Sequence, residues 1–154
     1  MPKYAVNTEV SSDRSRAEIE RTLIRYGASS FAYAFEPGRA AIQFSAHNRR
    51  IRFVIKLPDR NDKELTQTPT GKRRVDSAIE TAYEQAVRQK WRALALVVKA
   101  LLEAVDSGIV TFEDAFLPYT VLPSGMTVAD EVGVQVANAY ALGHVEALQI
   151  EAPR

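Results

Sequence analysis

The chain has 154 residues, 46% apolar and 25% charged, within ordinary globular values and far from a disordered or collagen-like composition. It contains no cysteine, which excludes disulfide scaffolds, zinc knuckles, iron–sulfur centres and thiol nucleophiles, and its two histidines are too few for a histidine-rich metal site. The net charge of +1 conceals an asymmetry: residues 1–100 hold 19 Lys/Arg against 11 Asp/Glu, a balance of +8, whereas residues 101–154 hold one against eight, a balance of −7. 

The first predicted element is a helix over 13–26. Ser15 and Glu18 have capping-box spacing, Ser12 can cap one turn earlier, and Ile19, Leu23 and Tyr26 form a buried stripe that Gly27 closes. Three strands follow, over 30–36, 39–46 and 50–57, each with a period of two: Phe31, Tyr33 and Phe35, then Ile42 and Phe44, then Ile51, Phe53 and Ile55. Pro37-Gly38 and His47-Asn48 are the intervening turns, so the strands form an antiparallel meander with one packed face. Residues 59–71 are polar and aperiodic and read as a long loop. From 74 to 107 there is no Gly or Pro, and Val87, Trp91, Leu94, Val98, Leu101 and Val105 make a sustained apolar seam, with Ile79, Tyr83 and Ala86 extending it backwards. This is a long helix, with Trp91 in its packed stripe and Gly108 at its end. In the acidic last third, Thr111 and Asp114 cap a brief helix that Pro118 stops, residues 119–122 suit a strand, Pro123-Ser124-Gly125 suits a turn, and Thr127 and Asp130 open a final helix through Leu142. The predicted class is α+β: a helix, a three-stranded antiparallel meander, a long helix and a small mixed C-terminal appendage. Residues 1–108 form the basic core, and residues 109–154 an acidic appendage packed on it within a single domain.

The cations carry the functional expectation. If Ile51, Phe53 and Ile55 face the core, Arg50, Arg52 and Lys56 share the opposite face, joined by Arg39 and Gln43 from the neighbouring strand and by Arg49 at the turn. Side-by-side cations repel unless an anion or a carboxylate layer lies over them, and nucleic acid is the commonest such anion. The alternatives are the acidic last third as a cover, or plain solvent. Gly71-Lys72-Arg73-Arg74, placed just before the long helix, can grip phosphate with backbone N–H groups and side chains, or be a basic loop with no dedicated partner. It is not a Walker loop, because Thr66 stands where a glycine is needed and Arg73 where Ser or Thr would hold magnesium. No catalytic constellation is legible: His47 and His144 lack an acid and nucleophile in familiar spacing, and Asp59, Asp62 and Glu64 lack the pattern of a calcium loop. The expectation is a non-enzyme without cofactor or metal.

Asn48-Arg49-Arg50-Ile51-Arg52-Phe53, Thr68-Pro69-Thr70-Gly71-Lys72-Arg73-Arg74 and Gln89-Lys90-Trp91-Arg92-Ala93-Leu94, taken together, resemble a family of small bacteriophage and prophage proteins of unassigned activity. The resemblance runs from the first helix through Val121-Leu122-Pro123-Ser124-Gly125. It implies a phage or mobile-element source, hence the cytoplasm of a bacterial host, and brings no catalytic residues with it. The element order is also similar to the double-stranded RNA-binding domain and to the core of phage single-strand annealing proteins, at the level of fold alone.

No apolar run approaches the roughly 20 residues that span a bilayer, and the opening MPKYAVNTEV has no signal-peptide core, so no membrane partner is expected. The preferred function is a phage-type nucleic-acid-binding protein contacting phosphates through Arg39, Arg49, Arg50, Arg52, Lys56, Lys72, Arg73 and Arg74. The alternative is a protein-interaction module, such as a small phage inhibitor of a host defence complex. Because the long helix is apolar over most of its circumference beyond Ala93, a homo-oligomer, most simply a dimer, is expected to bury its C-terminal half.

Overall fold

The computed structural model describes residues 3–143, with side chains from Asp13 onward; His144 and the rest of the acidic tail lie outside them. Helix α1 spans Lys3–Arg25, starting ten residues before the predicted position. No Gly or Pro interrupts the sequence between Lys3 and Tyr26, so the cap-like serines lie inside one continuous helix instead of starting it. The helix ends as the sequence predicts. Gly27 takes a φ of 89°, its N–H bonds the carbonyl of Ile24, and the N–H of Ala28 bonds that of Leu23, the paired bonds of a Schellman stop.

Strands β1 (Ser30–Glu36), β2 (Arg39–Ala46) and β3 (Arg49–Lys56) form an antiparallel sheet in the order β1-β2-β3. At the first turn Pro37 precedes Gly38 at φ 82°; at the second His47 and Asn48 both have positive φ, 50° and 56°, as a two-residue type I′ hairpin requires. Ala40, Ile42, Phe44, Ile51 and Phe53 turn inward and are buried, with Ile55 partly so. Phe31 and Tyr33 of the edge strand are only half-buried, and Phe35 at its end is largely exposed.

A short helix α2 (Lys63–Thr66) interrupts what the polar composition suggests is a plain loop. Leu65, the one large aliphatic in that stretch, drops into the core, and Thr66 is buried beside it. One leucine makes no period, so the sequence pattern gives no sign of this anchor. Arg60 completes the fastening: its guanidinium makes two 2.9 Å bonds to the Glu80 carboxylate and lies 3.8 Å from the centre of the Tyr83 ring.

Helix α3 (Asp76–Asp106) is 31 residues long, about 46 Å. It packs on α1 and the inner face of the sheet through Tyr83, Val87, Trp91, Leu94, Ala95, Val98 and Leu102, with Ile79 buried one turn before them. Trp91 is fully buried, with its ring 5.4 Å from that of Tyr33. The buried stripe ends on Leu102, and Leu101 and Val105 are half-buried at its border, because a strict heptad slips around a 3.6-residue helix. Gly108 stops α3 with the same two bonds that Gly27 makes for α1.

The appendage behaves as two parts. Helix α4 (Phe112–Ala115), capped by the Thr111 hydroxyl, and a 3-10 turn (Leu117–Tyr119) bring Phe112, Phe116 and Tyr119 onto the core. Phe116 is fully buried, with ring centroids 4.6 Å from Phe112, 5.9 Å from Phe44 and 6.3 Å from Phe53. The predicted strand after it reduces to single bridges: Thr120 pairs with Ile51 along the free edge of β3, and Val121 with Thr127 across the turn at Gly125. Helix α5 (Val128–Leu142) then starts from a complete capping box, Thr127 and Asp130 each bonding the other's backbone N–H. It buries no residue. The core contacts of this segment thus come from Phe112, Phe116 and Tyr119, and none from a buried residue of α5.

Candidate nucleic-acid interface

Because both long helices lie on one side of the sheet, the other side is left open. The register builds this outer face in four rows: Ser30, Ser45 and Arg50; Ala32, Gln43 and Arg52; Ala34, Ala41 and Val54; Glu36, Arg39 and Lys56. Its two inner rows hold Ala32, Ala34, Ala41, Gln43, Val54 and one cation, Arg52, and its other cations stand in the outer rows. Glu36 is the one carboxylate in the twelve positions, and no aromatic residue is among them. The alternative of an acidic layer over this face is not what the described residues form: Arg50, Val54, Lys56, Ala32 and Ala34 are all exposed.

The candidate cations divide into three kinds. Arg49 and Arg50 lie exposed at one end of the sheet. They line a shallow cleft of about 490 Å³ together with Ser29, Ser45, His47 and Asn48. The His47 ring stacks on Phe112 at 4.4 Å, so the floor beside them is fixed by the core. Lys56 is exposed at the far end of β3, seven residues and about 23 Å from Arg49. No hydrogen bond or ion pair among the described residues holds its ammonium group.

Arg39 and Arg52, by contrast, are occupied. Arg39 pairs with Glu36 at 2.7 Å, cancelling the only negative charge of the face. Arg52 is half-buried; Nε and Nη2 donate to Gln43 Oε1 at 3.2 and 3.1 Å, and Nη1 donates to the Gly125 carbonyl at 2.9 Å. Its position on the face is as predicted, but its donors fasten the Pro123–Gly125 turn to the sheet. Nothing in the sequence spacing joins Arg52 to Gly125, which is why this structural role escapes a linear reading.

Lys72, Arg73 and Arg74 sit differently from expectation. The cluster lies in a tight turn closed by a bridge between Gln67 and Arg73, and α3 begins only at Asp76. The N–H groups of Gly71 and Lys72 bond the Thr68 carbonyl and hydroxyl, and that of Arg74 bonds the Thr66 carbonyl. A phosphate grip by backbone N–H groups is thus largely pre-empted, and what remains to offer a ligand is side-chain charge. Lys72 and Arg73 are exposed and Arg74 half-buried, with Asp76 within 3.9 Å of Arg73.

The polar loop carboxylates are used locally: Asp62 accepts from the Asp59 N–H and Asp59 from the Asn61 N–H. Among the described residues no three His, Asp or Glu side chains gather in a way that could hold a metal ion, and no helix is long and apolar enough to cross a membrane. No protein-family model, curated protein or solved structure matches the chain.

Proposed function

We propose that the chain is a non-enzymatic nucleic-acid-binding protein that holds the phosphate backbone against the outer face of its sheet. The observation that carries this reading is the composition of that face: open to solvent, with its single carboxylate neutralised and the exposed cations Arg50 and Lys56 at opposite ends. Arg50 at one end of the face and Lys56 at the other are its contacts, with Arg49 beside Arg50 at the hairpin, while Arg39 and Arg52 shape the surface; Lys72, Arg73 and Arg74 add side-chain charge from the turn before α3. Each phosphate neutralised in this way releases condensed counterions and favours association. The absence of aromatic residues from the face argues against splayed bases stacked on the sheet, the usual grip on single strands. A duplex or folded nucleic acid bound through its backbone is the better fit.

A phage or prophage source, with action in the cytoplasm of the host, belongs to this reading, as does self-association through the remaining exposed apolar surface. A protein-interaction role, such as inhibition of a host defence complex, is the second reading, favoured by the uncovered helix α5. A gel-shift series at rising salt, on single- and double-stranded DNA and RNA, tests the first. Duplex binding that weakens steeply with salt is the expected result. Failure to bind any of the four at low salt overturns it.

A further inference from the structure

The sheet has two edges, and only one of them is closed. Along β3 the Val121 N–H bonds the Arg50 carbonyl, Thr120 bridges to Ile51, and Arg52 holds the Gly125 carbonyl, so the segment after the 3-10 turn covers that edge. Along β1 the accounting comes out differently. Pro37-Gly38 is a two-residue turn, which makes Glu36 and Arg39 a hydrogen-bonded pair; by alternation Ala34, Ala32 and Ser30 also spend their backbone groups on β2. The intervening residues turn N–H and C=O the other way. Those of Phe31 and Phe35 meet no partner among the described residues. The edge also carries none of the usual guards: β1 is seven residues long, without Lys, Arg or Pro, and its inner row is Phe31, Tyr33 and Phe35, the last 55% exposed.

We propose that β1 of one copy pairs antiparallel with β1 of a second copy about a two-fold axis at Tyr33, joining two three-stranded sheets into one of six strands. The proposal rests on the self-association put forward above and assigns its surface. The strand matches itself in this register. Phe31 exchanges backbone bonds with the partner's Phe35, and their rings meet on the inner side; Ala32 stands opposite the partner's Ala34 on the outer side, where neither obstructs the approach. Glu36, the one charge of β1, is already paired with Arg39 and faces the partner's Ser30. The two Glu36 carboxylates thus lie at opposite ends of the seam, about 20 Å apart, whereas a parallel seam would set them side by side. Pairing of β1 with the β3 edge of another copy, which would run on into a filament, is blocked by the segment over β3, so the like-with-like seam closes on itself. The outer faces of the two copies then adjoin, with Ala32 and Ala34 at the seam and Arg50 and Lys56 of each copy on the outermost strands.

The chain's lack of cysteine makes the test clean. Ala32→Cys and Ala34→Cys are prepared as two separate proteins, each of the full chain. In this register the two positions face each other as a non-hydrogen-bonded pair, with Cα atoms about 4.5 Å apart and within the span of a disulfide. Two copies of one variant place their cysteines on a diagonal of about 7–8 Å instead. Mild oxidation of the mixture should therefore give a covalent species of twice the 17.1 kDa chain mass, and either variant alone should give far less. Light scattering of the unmodified protein should show the same doubled mass. Phe35→Pro removes an N–H that faces only the open edge, where proline is tolerated, and should halve that mass with the far-UV circular dichroism of a folded chain retained. Equal cross-linking by one variant alone would overturn the register. A doubled mass without cross-linking in the mixture, or a Phe35→Pro protein that stays dimeric, would overturn the β1 seam and leave self-association standing. A 17.1 kDa mass at every concentration would overturn both, while the gel shift on duplexes reads the nucleic-acid interface separately.

Discussion

Phe116 decides whether residues 109–127 are an addition to the core or part of it. Its side chain is fully buried and enclosed by Phe112, Phe44 and Phe53, so it joins the appendage to two strands of the sheet. Phe116→Ala removes the transfer free energy of the ring and leaves a cavity between elements that cannot close without moving β2 and β3. Phenylalanine truncations of this kind cost about 3–5 kcal/mol. At about 2–4 °C per kcal/mol for a chain of this size, the melting temperature should fall by about 6–20 °C. Phe35→Ala is the control, because that ring is 55% exposed at the end of an edge strand and its loss should cost less than about 1.5 kcal/mol. Thermal and urea unfolding followed by circular dichroism make the comparison. The urea midpoint should drop with the slope unchanged, the mark of a loss confined to native-state stability. If Phe116→Ala melts within a few degrees of Phe35→Ala, the core ends with α3 and the argument from ring packing is wrong.

Three further outcomes follow from the same geometry. Arg50→Gln/Lys56→Gln should leave the melting temperature in place and reduce the slope of log affinity against log salt by about 2 for a duplex, read from binding isotherms at several salt concentrations. An unchanged slope would remove these two residues from the interface. Arg52→Ala should behave oppositely, lowering stability by about 1–2 kcal/mol through loss of the Gln43 and Gly125 bonds, by urea titration, with a smaller effect on the salt slope than either exposed cation. The Asp130 carboxyl is held below the ordinary aspartate value of 3.8 by hydrogen bonds from the Thr127 hydroxyl and backbone N–H. A depressed carboxyl contributes stability above its unfolded value and loses it as pH falls through its folded value, so the start of α5 should fray as the solution is acidified below about pH 4. Asp130→Asn should lack this acid-dependent step in helicity at 222 nm.

Local rules made most of the fold legible. The three strands fall within one residue of their predicted limits because strict alternation and two distinct two-residue turns leave no freedom in register. Gly27 and Gly108 end their helices, and Thr127 with Asp130 starts one, because each of these signals acts within six residues of chain. What stayed hidden involves one side chain acting at a distance. Leu65 anchors a polar segment alone, without neighbours to make a period. The serines near the start of α1 look like caps, but a cap is used only where the chain leaves the helix, and here nothing breaks it.

The candidate site divides along the same line. Alternation on β3 and β2 places Arg39, Arg50, Arg52 and Lys56 on one face, and the register puts them there. Alternation says nothing of which cation is already engaged, since the partners are Glu36 across the hairpin and a carbonyl 73 residues further along the chain. The cluster at Lys72–Arg74 shows the converse: its charge is as the sequence states, but its backbone N–H groups are consumed by a turn around Thr68 that composition does not reveal. Of eight cations sharing one sign, two are therefore engaged within the fold, and the exposed strand cations stand at the two ends of the sheet, about 23 Å apart. A polyanion long enough to touch both ends satisfies them together, whereas a single small anion satisfies only one.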